Sequence, residues 1–212
     1  GMADSRLIEL LTAGLRTPVE GGGLAIVDDA SALAAADALA VVDFEMSGPN
    51  PRMHELLDAG IVLCELSGVL PERSSWGERI HPKHIGNAVP GALKVVGYSP
   101  KAWKQAIKLE EAMARLVDVG RGAVITGWGI GQDISFLTES LRRTGMEWPF
   151  APIVLDIQPI ARTLLGKEVE RFNLGHVADR LGIGRMGEHG ALADAFATYD
   201  VLVKLVERGQ DS

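Results

Sequence analysis

Short apolar runs of strand length constrain the fold of this chain more than any other feature of its sequence. Such runs occupy residues 38–42, 60–66, 123–126 and 152–155. Runs of this length are typical of strands that are buried on both faces of a sheet. Segments with helical spacing of apolar residues alternate with the later runs, and this order favours a sheet with helices packed on it. We therefore predict an α/β fold with a mixed central sheet flanked by helices.

The predicted helices follow from apolar periodicity and from residues that begin or end helices. Ser99-Pro100 predicts a helix that begins near Lys101 and continues to Gly120, because proline is favoured at a first helical position. The pairs Gly86-Asn87 and Pro90-Gly91 instead predict a loop. Further helices are predicted over residues 133–143, 159–165, 173–181 and 190–207.

Residues 1–37 are expected to form a partly helical N-terminal extension, and residues 38–208 are expected to form the main domain. Apolar residues at helical spacing predict a helix from Ser5 to Leu15. The three glycines at 21–23 lack the Lys-Ser/Thr ending of a phosphate-binding loop, so they indicate a linker.

The acidic composition limits which partners the chain can bind. Its formal charge is −7, from 21 basic and 28 acidic residues. A protein that neutralises many phosphates along a duplex is normally basic, so the charge argues against a general DNA-coating role. An enzyme that binds a few nucleotides at a strand end stays compatible, because bound divalent cations supply local positive charge.

Cys64 is the single cysteine of the chain, which excludes an intramolecular disulfide and a cysteine-rich zinc site. Its apolar neighbours predict a buried, unreactive thiol. The low cysteine content predicts a reducing, cytoplasmic setting. No apolar run reaches about 18 residues and no charged-then-apolar signal pattern opens the chain, so no membrane partner is expected.

Asp43 and Glu45 follow the first apolar run and are separated by one residue. Because side chains on a strand alternate between faces, the two carboxylates project on the same side and Phe44 points the other way into the core. Adjacent carboxylates repel each other unless a cation lies between them, and oxygen ligands suit magnesium or manganese. The alternative is a pair of ordinary strand-end acids that face solvent.

Asp133 is a further candidate acid. It follows the strand at 123–126 and a glycine-rich turn at 127–131, and it lies at the start of a predicted helix. The alternative is a structural acid that the positive end of the helix dipole favours.

His189 and Asp194 are five residues apart, with Gly190 between them. This spacing places His189 in a loop before the last helix and Asp194 within the first two turns of that helix. A loop histidine near a bound phosphate can accept a proton from water near neutral pH. The alternative is a surface histidine with a solvated helix acid.

Together these motifs resemble the DEDD exonucleases of the histidine-containing subclass, DEDDh, which includes the DNA polymerase III proofreading subunit, RNase T and oligoribonuclease. Residues 41–51 resemble the first family motif, residues 131–137 the second and residues 188–195 the third. The resemblance covers residues 38–207. It implies a ribonuclease H-like fold and a metal-dependent 3′–5′ exonuclease that acts on single-stranded DNA or RNA.

The resemblance also implies a role for each candidate residue. Asp43 would bridge two divalent ions, Mg²⁺ or Mn²⁺. Glu45 and Asp194 would complete the ligands of the first ion, and Asp133 would hold the second through water. His189 would be the general base that activates the attacking water.

Three residues after the acidic pair are implied to bind substrate. Family members pack the terminal nucleotide against backbone and an apolar side chain at this position, which corresponds to Met46, Ser47 and Gly48. Core packing is the alternative role for Met46.

The chain departs from the family pattern near the second motif. It has Trp128-Gly129 and Gln132 where many members carry His-Asn and an aromatic residue. Two other functions therefore stay open: oligoribonuclease-like degradation of very short RNAs, and a non-catalytic module that binds nucleic acid or a polymerase. The expected partners are 3′ ends of single-stranded DNA or RNA, with a polymerase or repair complex as a further candidate.

Overall fold

A computed structural model describes residues 4–184 and 190–212 of the chain. Within these residues, seven strands form one mixed sheet. The strands are β1 (Leu15–Pro18), β2 (Leu24–Ile26), β3 (Ala38–Met46), β4 (Leu56–Glu65), β5 (Glu72–Arg79), β6 (Val124–Gly127) and β7 (Val154–Asp156). Their order across the sheet is β2-β1-β7-β6-β3-β4-β5. β3, β6 and β7 are parallel and the other neighbours are antiparallel, which confirms the predicted mixed α/β sheet.

Helices cover both faces of this sheet. They are α1 (Ser5–Leu11), α2 (Ser31–Ala34), α3 (Pro90–Val96), α4 (Leu109–Gly120), α5 (Gly131–Arg143), α6 (Ile157–Leu165), α7 (Leu174–Arg180) and α8 (Ala191–Gln210). Among the helices in the described ranges, none combines the length and the apolar character needed to cross a membrane.

β3 contributes side chains to two core layers, one on each face of the sheet, because its side chains alternate between the faces. Leu39 and Val41 belong to the apolar cluster that includes α1, α6, α7 and α8. Phe44 belongs to the opposite cluster, with α4 and α5. Asp43 and Glu45 continue the row of Leu39 and Val41, so they face α8. The predicted opposition of the acidic pair and Phe44 is confirmed.

Cys64 lies on β4 and is fully buried in the cluster on the α8 side of the sheet. Burial raises the pKa of its thiol to about 12, because a thiolate is poorly solvated there. This confirms the predicted inert core thiol.

The N-terminal segment adds to the sheet as well as packing on it. The predicted helix ends at Leu11, not Leu15, because Leu15 begins β1 and pairs with Leu155 of β7. The glycines at 21–23 form the tip of the β1–β2 hairpin, and all three have positive φ angles of 86 to 102°. A non-glycine residue rarely adopts this conformation, which explains the glycine run.

The prediction of a helix that begins near Lys101 is wrong. Residues 97–107 form turns, and α4 begins only at Leu109. The buried Trp103 donates its indole N–H to Leu57 O, and the Ile107 N–H donates to Arg79 O. These contacts hold the segment against the start of β4 and the end of β5, so its backbone donors do not form a helix.

The loop predicted around Pro90-Gly91 contains α3. Pro90 occupies its first turn, and Gly97 ends it with a positive φ angle of 76°. Proline at the start and a left-handed glycine at the end are ordinary helix boundary signals, so the sequence did contain this helix. α3 packs beside the end of β3.

Candidate active site

Three acidic side chains converge where the end of β3 meets the start of α8. Asp43 and Glu45 come from β3, and Asp194 comes from the first turns of α8. One carboxylate oxygen from each lies within 4.8 Å of the other two. We refer to Asp43, Glu45 and Asp194 as the three-acid cluster.

Asp43 is the member of the cluster with a buried oxygen that is unpartnered in the described part of the chain. Its Oδ2 atom is fully buried and has no hydrogen-bond partner among the described residues. Burial, followed by the charges of Asp133, Glu45 and Asp194, raises the pKa of Asp43 well above its ordinary value. An unpartnered buried acceptor costs about 1–3 kcal/mol, and a cation at this position would remove that cost.

Glu45 and Asp133 are also difficult to ionise. Burial, with the neighbouring Asp194 carboxylate, raises the pKa of Glu45 to about 7. Burial likewise raises the pKa of Asp133 to about 7, although the backbone N–H of Phe44 opposes the rise. Carboxylic acids with such pKa values carry a full charge at neutral pH only when a positive charge compensates them.

The structure brings most of the predicted acids together. Asp133 lies in the first turn of α5, and its charge raises the pKa of Asp43, but its oxygens are outside the three-acid cluster. His189 lies outside the described residues. Gly190 is the N-cap of α8, so Asp194 is in the first two turns as expected.

The donor set fits a hard divalent cation. All the ligand atoms that converge are carboxylate oxygens, which suit magnesium and manganese rather than softer metals. A bound ion would give the buried Oδ2 of Asp43 the partner that no described protein group supplies. The cluster is therefore a candidate metal centre.

A cleft of about 400 Å³ opens beside Glu45. Met46 and Gly48 form one wall, Ala92 and Val95 of α3 form the opposite wall, and the exposed Gln132 lies at its edge. Val95 is 77% exposed, so its apolar side chain faces the cleft and the solvent. Met46 is half-buried, so it both packs on the core and faces the cleft.

The loop after β3 is held in one conformation by its own contacts. Ser47 exchanges two hydrogen bonds with Glu55, both of 2.9 Å, and its carbonyl accepts the Val89 N–H before α3. A Cβ atom at Gly48 would lie 2.5 Å from the ring of His54, so only glycine fits there. Ser47 and Gly48 are buried, and they shape the cleft through the backbone.

Asp58 is an acid near the cluster that is not among the predicted site residues. It is buried on β4, and its Oδ2 accepts the N–H of Ala191 at 3.1 Å. The signal was a charged residue within the apolar run from Leu56 to Val62. A buried charge is retained only with a specific partner, so this position called for an explanation.

Asp156 at the end of β7 has a comparable arrangement. Its Oδ1 accepts the N–H of Gly129 at 2.9 Å and the N–H of Gln158 at 3.0 Å. It caps α6 and fixes the glycine turn that leads into α5, the helix that carries Asp133.

Comparison with known proteins places this geometry in a family context. A family model described as an exonuclease, RNase T, matches residues 40–202. That range contains all four candidate acids, from Asp43 on β3 to Asp194 on α8.

Individual relatives are distant in sequence. The chain is 22% identical to a PolC-type DNA polymerase III from Caldanaerobacter subterraneus over 190 residues, which cover 89% of the chain and 13% of that protein. It is 22% identical to the DNA polymerase III subunit epsilon of Aquifex aeolicus, with 79% of each chain covered. The chain thus spans only a small part of the polymerase.

Solved structures support the same fold. E. coli exonuclease I in complex with a dT13 oligonucleotide matches with a TM-score of 0.70 at 18% identity, over 82% of this chain and 42% of that one.

Proposed function

The chain belongs to the exonuclease family whose model matches residues 40–202, and on that premise we propose that it is a metal-dependent 3′–5′ exonuclease. It hydrolyses terminal phosphodiester bonds of single-stranded DNA or RNA. The observation that carries the proposal is the three-acid cluster, with oxygens within 4.8 Å and one buried oxygen of Asp43 unpartnered. Two relatives add support for the substrate class: a polymerase III epsilon subunit, and an exonuclease I bound to an oligonucleotide.

The positions of the acids support metal-binding roles for them. Asp43, Glu45 and Asp194 would hold one Mg²⁺ or Mn²⁺ ion, and Asp43 would share a second ion with Asp133. When bound, a pair of such ions orients the attacking water and stabilises charge on the leaving 3′-oxygen. The protein contributes a rigid frame, because each acid is fixed by a strand or by the start of a helix.

The proton acceptor is proposed to be His189. It directly precedes Gly190, the N-cap residue of α8, in the chain. An imidazole has a pKa near neutrality, so it can take a proton from water at physiological pH. The four acids are poorly suited to this step while they are held as metal ligands.

The cleft between Met46 and α3 is proposed to hold the terminal nucleotide. Its apolar walls suit a base, and Gly48, which has no side chain, leaves room for the strand end beside Glu45. A site of this size contacts few phosphates, in agreement with the formal charge of −7. Docking on a polymerase or repair complex is a further part of the proposal, on the grounds of the epsilon-subunit relative.

The direct test uses single-stranded DNA and RNA oligonucleotides labelled at either end, with magnesium and then with a chelator. A 3′–5′ exonuclease releases a 3′ label at once as a mononucleotide, and it converts a 5′-labelled strand into a ladder. Immediate release of the 5′ label as a mononucleotide would contradict the direction.

The same assay separates the alternatives. Cleavage of dinucleotides but not of longer strands would favour the oligoribonuclease-like function. Binding of strands and of Mn²⁺ without cleavage would favour the non-catalytic module.

A matched pair of variants tests the role of His189 as the general base. His189→Gln should lower kcat by about 10²–10⁴-fold, the usual contribution of general acid–base catalysis. Mn²⁺ affinity should stay unchanged, because the residue is not a ligand. The control is His176→Gln in α7, which should have wild-type kcat. Equal kcat in the two variants would remove His189 from the mechanism.

A further inference from the structure

Asp58 lies beside the three-acid cluster but is not a member of it. It pairs directly with Glu45 in the antiparallel β3–β4 register, so both side chains project to the face of the sheet that α8 covers. We propose that Asp58 is a positioning residue that holds the first turn of α8, and with it Asp194, in place. This inference rests on the proposed function, because it treats the cluster as the metal site.

The first turn of α8 has no cap of its own. Gly190 is the N-cap residue and offers no side-chain oxygen. The first N–H groups of a helix lack partners within the helix, and Asp58 Oδ2 accepts one of them, from Ala191, at 3.1 Å. The cap therefore comes from a strand 133 residues earlier in the chain. It ties the start of the helix to the sheet.

The sheet surface beneath this turn is bare backbone. Gly60 of β4 pairs with Gly77 of β5. A Cβ atom at Gly60 would lie 2.5 Å from the backbone of Ala191 and Leu192, and one at Gly77 would lie 2.6 Å from Leu192 Cβ. Two adjacent glycines thus allow the helix start to rest directly on the sheet.

In the β3–β4 register, the contact between Gly60 and the first turn of α8 lies next to the candidate metal centre. Asp43 pairs with Gly60 across β3 and β4, so the helix turn rests one strand away from Asp43. Asp194 is three residues after Ala191, less than one helical turn along α8. Any movement of Ala191 is therefore transmitted to the Asp194 carboxylate with little loss.

The contacts of Asp58 distinguish it from a ligand. Its Oδ2 already accepts a backbone N–H, whereas Asp43 Oδ2 has no described partner. Groups that orient metal ligands in this way typically alter metal affinity by 10–100-fold when they are removed.

The test compares Asp58→Ala with Asp58→Asn in the full chain, by calorimetric titration with Mn²⁺. Asparagine keeps an oxygen that can accept the Ala191 N–H, and alanine does not. Asp58→Ala should weaken Mn²⁺ binding by about 10-fold or more. Asp58→Asn loses the same charge but keeps the acceptor, so it should weaken Mn²⁺ binding several-fold less than Asp58→Ala.

A second readout follows the tether itself. Hydrogen exchange at the Ala191 amide should become faster in Asp58→Ala, and it should stay slow in Asp58→Asn. If wild-type protein binds no Mn²⁺, the proposed metal site fails, and the exchange rates still decide whether the tether exists. Equal Mn²⁺ affinity in the alanine variant and wild type, or equal losses in both variants, would overturn the positioning role.

Glycine substitutions keep the proposal testable if Asp58→Ala does not fold. Gly60→Ala pushes the helix start away from the sheet, whereas a Cβ at Gly86 meets no atom within 4 Å. Gly60→Ala should weaken Mn²⁺ binding by about 10-fold, and Gly86→Ala should not change it. Equal Mn²⁺ affinity in these two variants would contradict the proposal.

Discussion

Two groups of acidic side chains lie near the carboxyl ends of β3, β6 and β7, and they differ in what their oxygens contact. In the three-acid cluster, the oxygens face one another, and one oxygen of Asp43 has no partner in the described part of the chain. Asp58 and Asp156 instead accept backbone N–H groups at helix starts. Burial raises the pKa of Asp58 as it does those of Asp43 and Glu45, but at Asp58 the Ala191 N–H opposes the rise.

The difference indicates how the protein separates stability from function. An acid that accepts N–H groups stabilises the fold through charge-assisted hydrogen bonds. Acids that face one another destabilise the metal-free fold, and such a cost is retained where it serves a ligand. The tethered acids hold the turns and helices that position the self-repelling ones.

The largest expected effect is that of Asp43→Asn. Cleavage should fall by about a thousandfold, because several kcal/mol of transition-state stabilisation are lost with the metal. Without metal, the free energy of unfolding of the variant should be about 1–3 kcal/mol higher than that of wild type. The variant is then the more stable protein, since one repelling charge is removed. End-labelled cleavage and urea denaturation measure the two effects.

The matched control for this variant is Asp118→Asn on the exposed side of α4, which should change neither quantity. A loss of stability in Asp43→Asn would mean that the carboxylate is a structural acid like Asp58.

The next largest effect is the pH dependence of the metal-free fold. Folding raises the pKa of Glu45 from 4.5 and that of Asp133 from 3.8, each to about 7. Between these limits the folded state binds more protons than the unfolded state, so the free energy of unfolding falls as pH rises towards 7. Chemical denaturation in the presence of a chelator measures this slope.

Metal should reverse the trend. At a Mn²⁺ concentration of about 100 times Kd, binding adds about 2.7 kcal/mol, and for a chain of this size that raises Tm by about 5–10 °C. At one fixed Mn²⁺ concentration, the rise should be larger at about pH 8 than at about pH 5, because Kd is lower when the ligands are ionised. An equal shift at both pH values would place the metal elsewhere.

The smallest effect is expected at Asp156. Asp156→Ala removes the cap of α6 and should lower the free energy of unfolding by about 1–2 kcal/mol. Asp156→Asn should lose less, because its oxygen still accepts the Gln158 N–H. Mn²⁺ affinity should change less than in Asp58→Ala, since Asp156 positions Asp133, which is outside the three-acid cluster. A larger change in Mn²⁺ affinity than in Asp58→Ala would indicate that Asp133 is the dominant ligand.

The sequence predicted the parts of the site that depend on local geometry. Strand alternation alone places Asp43 and Glu45 on one face and Phe44 on the other, and Gly190 marks the start of α8. The helix at Pro90 was also within reach of local rules, since proline and Gly97 delimit it.

Contacts between distant segments were not predictable from local pattern. Asp58 caps a helix 133 residues away. Gly60 and Gly77 become neighbours only when β4 and β5 pair in the folded sheet. The segment after Ser99 has a helical start signal, but Trp103 and Ile107 instead bind Leu57 of β4 and Arg79 of β5. Tertiary contacts override local propensity at such positions.

The central claim is that the three-acid cluster binds a divalent cation, and Mn²⁺ titration calorimetry tests it most directly. The wild-type chain is predicted to bind Mn²⁺ with release of protons from the carboxylic acids near neutral pH, and Asp43→Asn is predicted to lose this heat. Equal Mn²⁺ binding by the two proteins, or no binding by the wild type, would contradict the claim.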